Sequence, residues 1–356
     1  MEPLIHIPLY CWQNAPDHAM RSMVQQHLVC LESYFAHEST YDLLVTTNDR
    51  RPLEILSAYK KKTGYGFKLR FVTTDDLLSA FAINLRTLRN ISCTRTIFSK
   101  FYPILNQESD AIVHVDFDTM FVNKIDLTPL FDSDIGLVDA NQFMSGEMRW
   151  RPTDEQAEFF GLTPPVASAT WINSGVFAVQ RQGFEICSRE VAHYLQNLDQ
   201  AMRAGIHRFT DEIIMNALAA RESEAVKVIA DYRYNFIAYY LKHDPDWIRD
   251  GQIVHFQSLK PDKFWHIDGA VAHRCHGAQV KRVNEDLFLA VLMWYRHLHA
   301  ACDGLPYLFP LLEAIPLEVA NAELARRLSS RESSGTNQPA SAETAAKYTA
   351  GADSIV

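Results

Sequence analysis

The sequence predicts an α/β protein with a mostly parallel sheet flanked by helices on both faces. Strand-like and helix-like segments alternate through the first half of the chain, as in successive βα units. With 356 residues and 47% hydrophobic content, the chain suits one large domain of that class, or one domain with an appendage. A third observation says where such a sheet would act. The apolar run of residues 111–115 leads straight into two aspartates that flank a single residue, Asp116 and Asp118. Open α/β sheets bind ligands at the carboxyl ends of their strands.

Residues 4–10 read as a strand, 17–35 as a helix, and 41–47 as a second strand with a polar turn after it. A helix over 52–62 and a strand over 68–72 follow, and Thr73-Thr-Asp-Asp76 then offers good N-cap chemistry for another helix. Residues 94–105 form a helix carrying Arg95 and Lys100, just ahead of the strand that ends in Asp116. Later segments are less regular. The apolar stretch 135–138 ends in Asp139. The strand-like run 171–180 is interrupted by Asn173-Ser-Gly175, where a glycine suggests a bulge or a close approach of backbone to ligand. Helices are expected over 185–204 and 211–221, and a short strand over 253–256 contains His255. From about residue 284 the chain looks helical, and its aromatics Trp294, Tyr295, Tyr307 and Phe309 are better suited to packing than to a membrane surface. After Ser329 no apolar side chain larger than alanine or proline occurs through Ser341, so the segment cannot offset its ordering entropy and is expected to be disordered.

Net charge is −9, and the only run of three basic residues is Lys60-Lys61-Lys62, which argues against nucleic acid as a partner. Six cysteines are scattered with no C-x-x-C pair, the pattern of reduced thiols in a cytoplasmic protein. The N-terminus opens directly into a strand without the basic region and cleavage site of a leader, and the apolar run 287–295 is too short to span a bilayer. A soluble, cytoplasmic protein is expected, with peripheral membrane contact left open. His273-Arg-Cys-His276 has no partner pair at zinc-finger spacing and reads as a loop or core element.

Asp116 and Asp118 are the most informative pair. Val113 and Val115 precede them and Met120, Phe121 and Val122 follow, which sets the carboxylates beside a core. Two carboxylates there lose hydration and repel each other unless a positive charge sits between them. The period-2 geometry of a strand would turn both to one side, where one divalent cation neutralises them together.

Five short patterns, in one order over roughly residues 1–268, resemble glycosyltransferase family eight. They are Thr94-Arg-Thr-Ile-Phe-Ser-Lys-Phe-Tyr102; Asp116-Phe-Asp118 with Leu127-Thr-Pro-Leu-Phe-Asp132; Ile172-Asn-Ser-Gly-Val-Phe-Ala-Val179; Asp211-Glu-Ile-Ile-Met-Asn216; and Ile253-Val-His-Phe256 with Lys260-Pro261. The resemblance implies a GT-A, Rossmann-like mixed sheet over 1–268, followed by a helical extension over 269–328 and the tail over 329–356. It implies a retaining hexosyltransferase that takes a nucleotide sugar, UDP-linked, and a saccharide or glycoconjugate acceptor. Asp116, Asp118 and His255 would hold Mn²⁺ or Mg²⁺, a hard donor set suited to Mn²⁺. Arg95, Asp116, Asp139, Asn173, Gly175 and Lys260 would contact the donor, with Tyr10 or Trp12 stacking on its base. Asp211 and Glu212 would sit at the reacting centre.

Each of these residues also has an ordinary structural use. His255 alone would be a core histidine, Arg95 a helix-surface salt bridge, Lys260 a surface lysine, Asn173 part of a bulge, and Asp211 an N-cap. Glu212 stands where the family has glutamine, and a carboxylate there could attack the anomeric carbon or stabilise an oxocarbenium-like transition state. Same-face attack within an ion pair is the preferred route, since the family works without that carboxylate. The chain departs from the family in its first loop, Tyr10-Cys-Trp-Gln-Asn-Ala-Pro16, which has no carboxylate before Asp17; in Ile213, where a third acid is usual; and in the short spacing from His255 to Lys260. Two other functions remain: a non-catalytic nucleotide-sugar-binding protein of the same fold, and a metal-dependent nucleotidyl- or phosphotransferase. The latter would need a Gly-rich phosphate loop or basic cluster near the N-terminus.

Overall fold

The computed structural model describes residues 2–11, 17–37, 40–73, 76, 94–121, 124, 126–139, 158, 172–203, 210–237, 253–255, 273–275 and 278–280. Its centre is a seven-stranded sheet made of β1 (Leu4–Leu9), β2 (Asp42–Thr47), β3 (Phe67–Phe71), β4 (Ala111–Val115), β6 (Ile135–Asp139), β7 (Ile172–Gln180) and β8 (Val226–Ile229). The strand order is β3-β2-β1-β4-β7-β6-β8. Only β7 runs against its neighbours; every other pairing is parallel. Every residue of β1, β4 and β6 is buried, as strands covered on both faces require. The mostly parallel α/β class read from the sequence is the observed one.

Local chemistry explains the elements. Helix α1 (Asp17–Ala36) buries Val24, Leu28 and Leu31, and Ser33 and Tyr34 beside them tie it down. Ser33 Oγ accepts from the Phe121 N–H at 2.9 Å, and Tyr34 donates to the Tyr41 carbonyl at 2.7 Å. Helix α2 (Arg50–Thr63) starts at Asp49, whose carboxylate accepts from the Arg51 N–H, and stops at Gly64 in the left-handed region with φ 74°. Thr73 and Asp76 exchange backbone and side-chain hydrogen bonds of 2.8 and 3.0 Å, the reciprocal cap expected there. Helices α3 (Thr94–Leu105), α4 (Phe184–Arg203) and α5 (Thr210–Arg221) pack against one another. Phe101, Ile104, Cys187, Val191, Tyr194, Ile214 and Leu218 join Leu137, Phe177 and Val179 of the sheet in one core cluster. Fully burying each such side chain contributes roughly 1.5–3 kcal/mol.

Two smaller sheets complete the described chain. In the first, β5 (Thr119–Phe121), β10 (Ile253–His255) and β9 (Phe236–Ile237) lie in that order. In the second, β11 (His273–Cys275) and β12 (Ala278–Val280), both within the stretch expected as a helical extension, pair antiparallel. The expected helix from residue 284 and the tail over 329–356 lie outside the described residues. Among the described residues no helix is long and apolar enough to cross a membrane.

Candidate metal centre

Parallel pairing of β1 with β4 sets Leu4 opposite Ile112 and His6 opposite His114, so both strands end at the same edge. Their neighbours β2 and β7 lie on opposite sides, which makes this edge a topological switch point of the sheet. Asp116 follows directly on β4.

Asp116-Phe-Asp118 forms the turn between β4 and β5. The Asp116 N–H donates to the Gly175 carbonyl at 2.8 Å, and the Thr119 hydroxyl donates to the Asp116 carbonyl at 2.8 Å. Strand periodicity is therefore not what brings the two carboxylates together. The strand ends at Val115, and a braced turn does so instead.

His255 arrives through β10, which runs antiparallel to β5 and pairs His255 with Thr119, the residue after Asp118. Its Nε2 lies 3.3 Å from Asp118 Oδ1 and 3.7 Å from Asp116 Oδ2. Ligand atoms of Asp116, Asp118 and His255 all lie within 4.8 Å of one another. Two ligands about 2.1 Å from one cation and at right angles are about 3 Å apart, so this spacing fits a single divalent ion. Two carboxylates with one imidazole are a donor set for such a cation.

Around the triad lies a buried polar network. Lys100 of α3 is 3% exposed, and its ammonium lies 2.9 Å from Asp116 Oδ1, 2.8 Å from Asp211 Oδ2 and 3.0 Å from Ser174 Oγ. Burial disfavours that ammonium, but the two carboxylates outweigh it and raise its pKa above the ordinary lysine value. Burial likewise opposes ionised Asp116, and Lys100 and His114 outweigh it and hold the carboxyl below its usual range. For Asp211, burial is overcome by the Lys100 ammonium and the Ser174 hydroxyl, and the carboxyl is held down to about 2. His114 Nε2 lies 2.9 Å from Asp116 Oδ1, and burial keeps that imidazole's pKa low. A neutral His114 therefore donates to the carboxylate.

The Asn173-Ser-Gly175 triplet near the start of β7 serves this edge in three ways. β6 slips register against β7 between Leu137 and Asp139, opposite the triplet, so the expected bulge is present. A Cβ on Gly175 would run into Nδ1 and Cε1 of His255, which is why no side chain stands there. Asn173 Oδ1 accepts from the Gly175 N–H at 2.9 Å and from Asn235 Nδ2 at 2.9 Å, and lies 3.1 Å from His255 Nδ1. Asn173 Nδ2 donates to Glu212 Oε1 at 2.8 Å. With its oxygen engaged this way, the Asn173 amide can reach a sugar hydroxyl only through its remaining N–H.

Asp211 and Glu212 lie in the first turn of α5, and Asp211 also accepts from the Ser174 hydroxyl at 2.8 Å. Asp139 is buried at the carboxyl end of β6, on the same edge as Asp116. Tyr10 follows β1 but is 4% exposed and packed in the core cluster, so its ring offers almost no face to a base. Arg95 lies on α3, and its side chain is outside the described residues, as are Trp12 and Lys260. The roles of Lys100, His114, Ser174 and Asn235 were not assigned from sequence. Lys100 had a weak signal, a lysine in the same helix as Arg95 and shortly before the aspartates.

The chain matches no protein-family profile and no curated protein sequence. Several solved structures resemble it. A galactosyltransferase, LgtC, solved with donor and acceptor sugar analogues, is 15% identical over 81% of this chain and 94% of its own, with a TM-score of 0.46. Mouse xyloside xylosyltransferase 1 is 15% identical over 73% of this chain and 99% of its own, with a TM-score of 0.47. The glycosyltransferase GlyE of Streptococcus pneumoniae is 16% identical over 84% of this chain and 63% of its own, with a TM-score of 0.46. Likeness at this level carries no conclusion about a reaction, so the functional reading stands on the side chains.

Proposed function

We propose that this chain is a glycosyltransferase of family eight, a retaining hexosyltransferase that uses a UDP-linked sugar donor and a saccharide or glycoconjugate acceptor. The observation that carries the reading is the convergence of Asp116, Asp118 and His255 at the carboxyl edge of β4. The five ordered motifs support it, since they include all three residues in the family's order.

When bound there, Mn²⁺ or Mg²⁺ supplies Lewis-acid stabilisation of the negative charge on the departing nucleoside diphosphate. The chain's own groups do the rest. Asp116 and Asp118 supply the carboxylate ligands, and Lys100 keeps Asp116 ionised. Arg95 and Lys260 contact the diphosphate, Trp12 the base, and Asp139 a donor hydroxyl. The bond from the anomeric carbon to the diphosphate oxygen breaks, and the acceptor oxygen attacks from the same face while its proton passes to the leaving phosphate. Glu212, held by the Asn173 amide, stabilises the positive charge that develops on the sugar.

Turnover of a radiolabelled UDP-hexose with Mn²⁺ and a panel of saccharide acceptors tests the proposal. Label should enter the acceptor with its anomeric configuration kept, and Asp118→Asn should abolish transfer. Donor binding with neither transfer nor hydrolysis would identify a non-catalytic nucleotide-sugar-binding protein instead. Transfer of a phosphoryl or nucleotidyl group would point to the third class.

A further inference from the structure

We propose that Asn235 is a positioning residue of the metal centre, acting through Asn173 to hold His255 in the tautomer that ligates. The inference rests on the metal-site reading above and adds a residue to it.

The Gly175 N–H fixes the orientation of the Asn173 amide. A backbone N–H only donates, so the Asn173 atom 2.9 Å from the Gly175 nitrogen must be its oxygen. That same oxygen lies 3.1 Å from His255 Nδ1. An amide oxygen has no proton, so the proton of this contact sits on Nδ1. The neutral imidazole then has its lone pair on Nε2, the atom facing Asp118 and Asp116 at 3.3 and 3.7 Å. A lone pair turned toward two carboxylates is unfavourable without a cation between them and favourable with one. An acceptor bonded to the far ring nitrogen fixes the tautomer of a ligand histidine in this way.

Asn235 locks the Asn173 amide. Its Nδ2 lies 2.9 Å from Asn173 Oδ1 and 3.4 Å from the Asn173 backbone carbonyl. The residue is 2% exposed, and its own Oδ1 has no partner among the described residues. An unpaired buried acceptor is costly, so packing alone is a poor reason to hold an asparagine there. The backbone links the same parts a second time. Asn235 immediately precedes β9, and β9 pairs Ile237 with His255 in parallel register. One short segment therefore positions the His255 main chain through the ladder and its ring through Asn173.

Asn235→Asp tests this with almost no change of shape. The new carboxylate cannot donate to Asn173 Oδ1, so the Asn173 amide is driven to turn its nitrogen toward the carboxylate and toward His255 Nδ1. Two readouts are needed, the His255 tautomer from long-range ¹H–¹⁵N spectra of the protein loaded with diamagnetic Mg²⁺ and the Mn²⁺ dissociation constant from electron paramagnetic resonance. The parent protein should show Nδ1–H, and Asn235→Asp should shift His255 toward Nε2–H and weaken Mn²⁺ by roughly 10- to 100-fold. Asn235→Leu, which removes the amide without adding charge, should weaken Mn²⁺ in the same direction if the aspartate variant does not fold. A parent His255 found as Nε2–H overturns the proposal whatever the variants do. Parent-like Mn²⁺ affinity in a folded variant overturns the role of Asn235 and leaves the metal site standing. Absence of Mn²⁺ binding by the parent removes both.

Discussion

The Lys100 ammonium lies 2.9 Å from the Asp116 carboxylate, a contact between α3 and the turn after β4 that joins two segments 16 residues apart. Because the same ammonium also reaches Asp211 and Ser174, it is saturated by the protein and acts as an internal counter-ion. Lys100→Met should leave two half-buried carboxylates without their shared ammonium and destabilise the fold by up to about 3 kcal/mol at neutral pH. Urea unfolding checks this, and the deficit should shrink as the pH is lowered and the stranded carboxyls take up protons.

The pH dependence at the acid end follows from Asp211. Its folded pKa of about 2 lies below the ordinary 3.8, so the unfolded chain binds the proton more tightly. The stabilisation is complete above that ordinary value and is lost as the pH falls from there toward 2. Asp211→Asn should flatten the unfolding free energy across that window.

A second pH effect comes from buried imidazoles that take no part in the metal centre. His27 is fully buried, and burial drives its pKa down to about 3, against the smaller opposing effect of the Ile7 backbone. The unfolded chain protonates it near 6.5, so stability is present above that pH and lost as the pH falls below it. His27→Leu should reduce the slope of stability against pH between 5 and 6 by roughly 1 kcal/mol per unit, as read from urea unfolding at both pH values.

Two glycines separate site effects from fold effects. Gly175→Ala would press a methyl group on the His255 ring, so Mn²⁺ affinity should drop by roughly 10- to 100-fold, with a smaller loss of stability. At Gly136 the methyl would meet the Leu130 backbone instead, which cannot swing aside. Gly136→Ala should lower the melting temperature with no specific effect on Mn²⁺ affinity in the protein that remains folded.

Glu212→Gln preserves the oxygen that accepts from Asn173 Nδ2, so the fold and the Asn173 amide should be unchanged. Transfer within the ion pair predicts a kcat within about tenfold of the parent. A covalent route through the carboxylate would instead lose turnover by orders of magnitude, because an amide is a far poorer nucleophile.

Much of this was legible in the sequence for physical reasons. Helix α3 falls on its expected bounds because its apolar residues recur at helical spacing, and the aspartate pair stood out because carboxylates are costly beside a core. Less local features were hidden. Nothing along the chain says that Lys100 meets Asp116 rather than solvent, since that depends on how α3 lies against β4. Tyr10 looked available to a base because the loop after β1 is polar, yet its ring turns into the core. Asn235 stands between a three-residue 3₁₀ turn and a two-residue strand, both too short to leave a periodic signal.

On the proposed function, Asp116, Asp118 and His255 hold a divalent cation against a nucleoside diphosphate. Thermal unfolding with a panel of nucleoside diphosphates, each with and without Mn²⁺, measures it most directly. UDP and Mn²⁺ together should raise the melting temperature by several degrees, on the order of 2.7 kcal/mol at a hundredfold excess over Kd, and the rise should be lost in Asp118→Asn. Stabilisation that ignores Mn²⁺ for every nucleotide, or that survives intact in Asp118→Asn, would contradict it.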